Sequence, residues 1–497
     1  MVPFMTGPTT TPESGDRVGR VVDAAREAAT ALADADREPH TDNHAHPHAD
    51  PHAHHHNHRR LLDAVESVLT DPETMIRLAR ISVTETGRSH PDARFEKVSR
   101  AVDGAFTDVR GPLRGPPVER GGQDDGQRDW GRVVEPVGVV GATVPATHPV
   151  VVPAVLSLFA LRTRNAVVFA PTPSTVETCD VVVTTIRRAL ADAGAPPNLV
   201  GMLPAPPRKP ATDALFEQVN LACAAGSAAT VEAARRCGTP SLATRADGAV
   251  AVVDASADPR SAASGVAAGA AYDFGAHPAS DAAVVVTESA ADAFRDGLEA
   301  AGGYVLSAAE REQLDVVLTE AGETNAMVPS DDLRGCSPRR LASAAVDGRP
   351  SEPPAFLVAE ASSVDEPTAR LPGIPAVTVH ERAGFSAALD AASQLGAGHV
   401  AAVHTEDSYR VERAATALGV GRLVTNQPAV AAAGGREEGL PVAPLLGAGS
   451  AEGSHLDGGL THEAFCNGTT VARRPSARTA GRGQTGFGGR GQPADDS

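Results

Sequence analysis

Three turns in this 497-residue chain carry residue types suited to cradling an anion. They are Val144-Pro145-Ala146-Thr147-His148, Ala170-Pro171-Thr172-Pro173 and Ala225-Gly226-Ser227. Each follows an apolar run and leads toward a helical pattern. Such a turn leaves free N–H groups at the positive end of a helix dipole, which suits the phosphates and ribose of a nucleotide. Ordinary strand-to-helix turns also need Pro, Gly and Ser, so each turn alone has a purely structural reading. No GxGxxG follows the first strand. A second set of chemically capable residues lies near the N-terminus, where nine histidines fall between His40 and His58. His44, His46, His48, His52, His54, His55 and His56 are the metal candidates, because a flexible run can gather neutral imidazoles around Ni, Zn or Cu. Without fixed ligand geometry the run reads first as a polar arm with no metal role. The five cysteines (179, 223, 237, 336 and 466) show no CxxC spacing and read as free thiols of a reducing compartment.

The elements that must position these turns are legible from periodicity. Apolar Val137–Val144 runs into a Pro-bounded turn, an apolar helix follows, and Ala166–Ala170 is a second apolar strand. This is one βαβ unit, which demands a parallel sheet and a right-handed crossover. Strands are expected at 137–144, 166–170, 199–203, 219–223 and 249–254, with helices at Ser174–Ala193 and Ala228–Cys237 between them. A second α/β region has strands near 282–287, 355–359, 375–379, 399–403 and 421–425. The alternation implies doubly wound parallel sheets. Arg59 to about Ala105 is helical in pattern, with a restart at Asp71-Pro72 and a stop at Gly87. The expected organisation is therefore a disordered, His-rich extension over 1–60, in which only Asp16–Asp36 has a helical pattern. A nucleotide-binding domain spans 61–255, a second α/β domain 256–440, a return segment 441–472 and a disordered Gly/Arg-rich tail 473–497.

Composition narrows the function. Hydrophobic residues make up 42% of the chain and the net charge is −18. That suits a soluble protein and argues against nucleic acid as a partner. Only two lysines occur, Lys97 and Lys209. No apolar run reaches the roughly 18–20 residues of a membrane span. The N-terminus has no signal-peptide pattern, so the expected compartment is the cytoplasm.

The stretch from Glu135 to Thr172 resembles the nucleotide-binding entry of CoA-acylating aldehyde dehydrogenases. Similarity continues through CGTPSLATRADGAVAVVDASAD, Gly398-His399 and Arg422–Pro428, and covers roughly residues 60–472. The resemblance implies an aldehyde dehydrogenase fold: a Rossmann-like nucleotide-binding domain, an α/β catalytic domain and a small β oligomerisation element. In that family a hairpin corresponding to 110–134 projects into oligomer contacts. Implied cofactors are NAD or NADP, with CoA, and implied partners are a small aldehyde or acyl-CoA and further copies of the chain. The cofactor-binding positions carried over are Val144, Pro145, Ala146, Thr147, Ala170, Pro171, Pro173, Gly226 and Ser227.

The catalytic segment departs from the family. Where the family reads FDNGMICASEQSVIV, this chain reads Tyr272-Asp273-Phe274-Gly275-Ala276-His277-Pro278-Ala279-Ser280. Pro278 stands at the cysteine nucleophile, with His277 beside it. His148 stands at the asparagine that donates to the oxyanion, and Thr368-Ala369-Arg370-Leu371 replaces the segment whose glutamate holds the nicotinamide ribose. His399 matches a histidine assigned to proton transfer around CoA attack. Three functions are open: an NAD(P)-dependent aldehyde oxidoreductase of the acylating type, an inert nucleotide-binding relative that partners an active paralogue, and a metal-handling protein acting through its histidine arm.

Overall fold

The computed structural model describes residues 12–35, 53–111, 129–205, 208–245, 248–320, 332–346, 352–366, 368–396, 398–449 and 455–473. Four of the histidines proposed for metal (44, 46, 48 and 52), the 112–128 part of the expected hairpin and the tail from 474 lie outside them. His54, His55 and His56 lie on the backbone of the helix Ala53–Leu69.

Two parallel sheets form the frame. The first has five strands in the spatial order Val200–Met202, Ala166–Pro171, Val139–Val144, Leu221–Ala225, Ser241–Thr244. Its central strands are buried along their whole length. Helices cover both faces, so these strands are continuous apolar runs without alternation. The helix Val151–Arg162 is buried from Val151 to Leu161. The chain leaves Val139–Val144 toward one edge, then returns to add Leu221–Ala225 on its other side. That reversal is a topological switch point, where a crevice opens beyond the carboxyl ends of the strands.

The second sheet has seven parallel strands in the order Arg422–Thr425, Val400–His404, Ala249–Val253, Asp281–Thr287, Ala376–Arg382, Phe356–Glu360, Gly303–Val305. Ala249–Val253 was expected in the nucleotide-binding domain, which was drawn to residue 255. It sits instead inside this second sheet, paired with Asp281–Thr287 and Val400–His404. Periodicity identifies a buried strand but does not say which sheet receives it.

The helical pattern expected at Asp16–Asp36 is a helix in the structure, but it packs into the folded core instead of standing apart in an extension. Pro12–Ala35 is a helix whose Val18, Val22, Ala25, Ala28 and Leu32 are buried in the core around the first sheet. Their spacing of three and four residues makes one apolar stripe, and docking that stripe holds the segment in place. Two side chains tie neighbouring elements together. Asn165 accepts from Gly138 N at 2.7 Å and donates to the Phe465 carbonyl at 2.8 Å, tying the first sheet to the C-terminal return. Glu85 accepts from Glu177 N and Thr178 N at 2.7 and 2.8 Å, putting a carboxylate at the head of the helix Val176–Asp192.

A two-stranded antiparallel arm pairs Asp129–Pro136 with Cys466–Arg473, in register from Asp129↔Arg473 to Pro136↔Cys466. Among the described residues no helix is long and apolar enough to cross a membrane.

Asp281 begins a central strand of the second sheet, is 1% exposed, and accepts from Ala429 N at 3.1 Å. Burial pushes its carboxyl from 3.8 up to about 8. The folded chain therefore holds a proton that the unfolded chain releases, and this contribution to stability is lost as pH rises from about 4 to 8. Asp281→Asn should be the more stable protein at pH 8, by on the order of 1–3 kcal/mol, and should converge with the wild type near pH 4. Urea unfolding at the two pH values checks this.

Candidate active site and nucleotide cleft

The switch-point crevice is a cleft of about 930 Å³. Thr143 locks the two strand ends beneath it, donating to the Ala225 carbonyl at 2.9 Å and accepting from Ala225 N at 2.8 Å. Pro145, Ala146, Thr147, Ala170, Pro171, Pro173, Gly226 and Ser227 all line the cleft, so the three turns read from the sequence converge. Val144 does not line it; its side chain is buried in the core. Ser227 caps the helix Ala228–Arg236, accepting from Thr230 N at 3.3 Å.

Among the described residues, five cations line this cleft (Arg88, Arg208, Lys209, Arg245 and Arg334) against one carboxylate, Asp213. In a chain of net charge −18 that is a local reversal of sign. It suits a ligand with several phosphates. The shape and donor set fit a dinucleotide or CoA.

One end of the cleft is formed by His148, His277 and Pro278. The chain reaches it through a left-handed bend in which Asp273, Phe274 and Gly275 have φ of 49, 55 and 71°. Asp and Gly tolerate such values, whereas Phe274 is strained. A Cβ on Gly275 would lie 2.0 Å from the Ile374 carbonyl oxygen, so no other residue fits there.

The bend is held by charge. Asp273 accepts from Lys97 Nζ at 2.7 Å, lies 3.4 Å from Arg94 Nε, and accepts from Ser89 Oγ. Lys97 and Arg94 also donate to the Thr147 carbonyl at 2.8 and 2.9 Å, which joins the bend to the turn carrying His148. Burial alone would raise Asp273, but Arg94 and Lys97 outweigh it and hold the carboxyl below its ordinary value. Burial lowers the Lys97 ammonium to about 8, against the attraction of Asp273. These residues were not recognised as part of the site from sequence. The one available signal was the rarity of lysine, which occurs only twice in the chain.

The rings of His148 and His277 are 5.0 Å apart. Burial, with the nearby Lys97 cation, pushes both far below the ordinary imidazole value, so both are neutral at physiological pH. His277 Nδ1 accepts from Ala279 N at 3.0 Å. The ring proton is therefore on Nε2, and His277 can donate a hydrogen bond to a carbonyl but cannot take up a proton from a nucleophile at that atom.

None of the five cysteines lines the cleft. Cys179, Cys223 and Cys336 are buried elsewhere, and burial pushes each thiol upward, Cys336 to about 11. His399 does not line the cleft either. It is 3% exposed, and its Nε2 donates to the Arg245 carbonyl at 2.6 Å and meets Thr244 Oγ1 at 2.9 Å, behind two cleft residues. Thr368 is buried against Arg311 and Asp315, away from the cleft.

The sequence profile of the aldehyde dehydrogenase family matches residues 5–312. Sulfoacetaldehyde dehydrogenase (acylating) of Cupriavidus necator is 30% identical over 412 residues, which is 81% of this chain and 82% of that protein. An acetylating aldehyde dehydrogenase from Geobacillus thermoglucosidasius has the same fold, with a TM-score of 0.80 at 22% identity over 97% of this chain and 99% of that one. A Rhodopseudomonas palustris propionaldehyde dehydrogenase, solved with bound CoA and an acylated cysteine, superposes with a TM-score of 0.76 at 21% identity, covering 92% and 97% of the two chains. The profile match over more than half the chain, and this degree of identity, place the chain in the aldehyde dehydrogenase family.

Proposed function

We propose that this chain is an adenine-nucleotide-binding member of the acylating aldehyde dehydrogenases that does not use their thioester route. The observation that carries this reading is the cleft end itself: His148, His277 and Pro278 line it and no thiol does. The usual route needs a thiolate to add to the aldehyde before hydride can leave. Here the side chains at that end are two neutral hydrogen-bonding imidazoles and a proline. They can hold the carbonyl of a small aldehyde or acyl-CoA, including an aldehyde with an anionic head, since Arg334 also lines that end.

NAD or NADP, when bound, supplies a hydride acceptor. The turns at Pro145–Thr147, Ala170–Pro173 and Gly226-Ser227 would hold its phosphates and ribose, and the cleft's cations would offset its charge. The arm formed by Asp129–Pro136 and Cys466–Arg473 is the surface for association with an active relative or another copy. The catalytic role of His399 is replaced in this reading by a structural one, because its Nε2 proton is committed to a backbone carbonyl.

Calorimetry on the purified chain tests the binding half. Losing one charge-assisted hydrogen bond to the nucleotide costs about 1.5–3 kcal/mol, so NAD(H) should bind one to two decades more weakly than to active relatives, yet measurably. Absence of any heat up to millimolar nucleotide refutes this reading.

A further inference from the structure

We propose that Lys97 is an imine-forming amine that holds a very short aldehyde covalently in a small cavity behind the cleft end. This rests on the reading of the cleft end as a holder of small aldehydes, and adds a nucleophile that is not a thiol. The cavity has a volume of about 20 Å³, and Lys97, Arg100, His148, Tyr272 and His277 are among the residues lining it. His148 and His277 line the cleft as well, so the two spaces share a wall. A volume of this size takes about one or two groups as large as a water. It suits formaldehyde or acetaldehyde and excludes a CoA thioester.

Lys97 lies in the helix Pro91–Arg110 and is 2% exposed. Its ammonium has two acceptors among the described residues, Asp273 at 2.7 Å and the Thr147 carbonyl at 2.8 Å. An ammonium carries three N–H groups, which leaves one for the cavity. Burial lowers the amine to about 8, so about a tenth of it is neutral and nucleophilic at pH 7. The nitrogen adds to the carbonyl carbon while His277 Nε2–H donates to the carbonyl oxygen. The resulting carbinolamine loses its hydroxyl, which leaves as water with the proton that the ammonium shed. Ammonium and aldehyde thus become iminium and water, with charge conserved and no oxidant or reductant required. The iminium keeps a positive charge and one N–H for Asp273. The Thr147 carbonyl loses the Lys97 donor but retains Arg94 at 2.9 Å. A buried ion pair therefore survives the reaction.

The chain has one other lysine, Lys209, which is exposed and serves as an internal reference. The test is reductive trapping of the full-length chain at pH 7 with acetaldehyde and cyanoborohydride. Cyanoborohydride delivers hydride to the imine carbon and fixes the adduct as an N-ethyl amine, which peptide mass spectrometry quantifies at each lysine. Lys97 should be ethylated about tenfold or more faster than Lys209 despite its burial, because an ordinary lysine near 10.4 is neutral only to about one part in 2,500 at this pH. His277→Ala should slow labelling of Lys97 and leave that of Lys209 unchanged. With a four-carbon aldehyde the preference for Lys97 should disappear. Labelling of Lys209 with Lys97 untouched or slower overturns the proposal and leaves Lys97 as a structural cation. A preference that persists with the four-carbon aldehyde overturns the cavity assignment. Calorimetry with NAD(H) reads the nucleotide cleft separately. Nucleotide binding without labelling of Lys97 overturns this inference alone, and labelling without nucleotide binding supports it while overturning the nucleotide reading.

Discussion

Pro278→Cys alone should yield only traces of CoA-dependent NAD(P)H formation with short aldehydes, and the wild type should yield none. The substitution returns a thiol and a backbone N–H that proline lacks. It does not return the rest of the oxyanion site. Ala279 N, the amide next along, is committed to His277 Nδ1 at 3.0 Å, and Ser280 N to the His277 carbonyl at 2.9 Å. Losing a single oxyanion donor typically costs about 100- to 1,000-fold in rate. Pro278→Cys with His148→Asn should therefore exceed either single change. Adding His277→Ile, which releases the Ala279 amide, should raise the rate again. Absorbance of NAD(P)H with CoA and a panel of aldehydes, sulfoacetaldehyde included, follows the series. Robust turnover by the wild type that disappears in His277→Ala would instead identify that imidazole as a catalytic group.

Asp273→Asn should be the most destabilising single charge removal in the protein. It keeps the side chain's shape and its tolerance of positive φ, but leaves Lys97 and Arg94 as buried cations beside each other with no counter-charge. Breaking a buried pair in this way costs about 3–5 kcal/mol. Lys97→Met should cost less, because Arg94 and Ser89 still face Asp273. The pH dependence has a definite sign. The folded-state carboxyl lies below its unfolded value, so its contribution is complete above the ordinary carboxylate range and is lost as pH falls through the folded value. The gap between wild type and Asp273→Asn in a urea titration should therefore close as the solution is acidified. Equal stability of the two proteins at pH 7 would contradict the role assigned to the pair.

The frame was legible where burial leaves a continuous apolar signature. The strands Val139–Val144 and Ala166–Pro171, with the helix between them, are covered on both faces and appear in the sequence as uninterrupted apolar runs. The helix Pro12–Ala35 was harder. Its buried stripe is built from Val18, Val22 and Leu32 with alanines between, in a segment whose overall composition is that of a polar tail. The three anion-holding turns could be named because each closes a βα unit. The ion pair beneath the site could not, because Lys97 and Asp273 are 176 residues apart and meet only once both sheets are assembled. The tautomer of His277, which decides whether it can act as a base at Nε2, depends on a backbone amide two residues away and is set by the left-handed bend.

The most direct test of the central claim is intact-protein mass spectrometry after incubation with a short-chain acyl-CoA. A thioester-forming enzyme retains the acyl group on its nucleophile and gains its mass. This chain should show no adduct, while Pro278→Cys should show a partial one. An acyl adduct on the wild-type protein, mapped to any residue of the cleft, would contradict the account and name the replacement nucleophile.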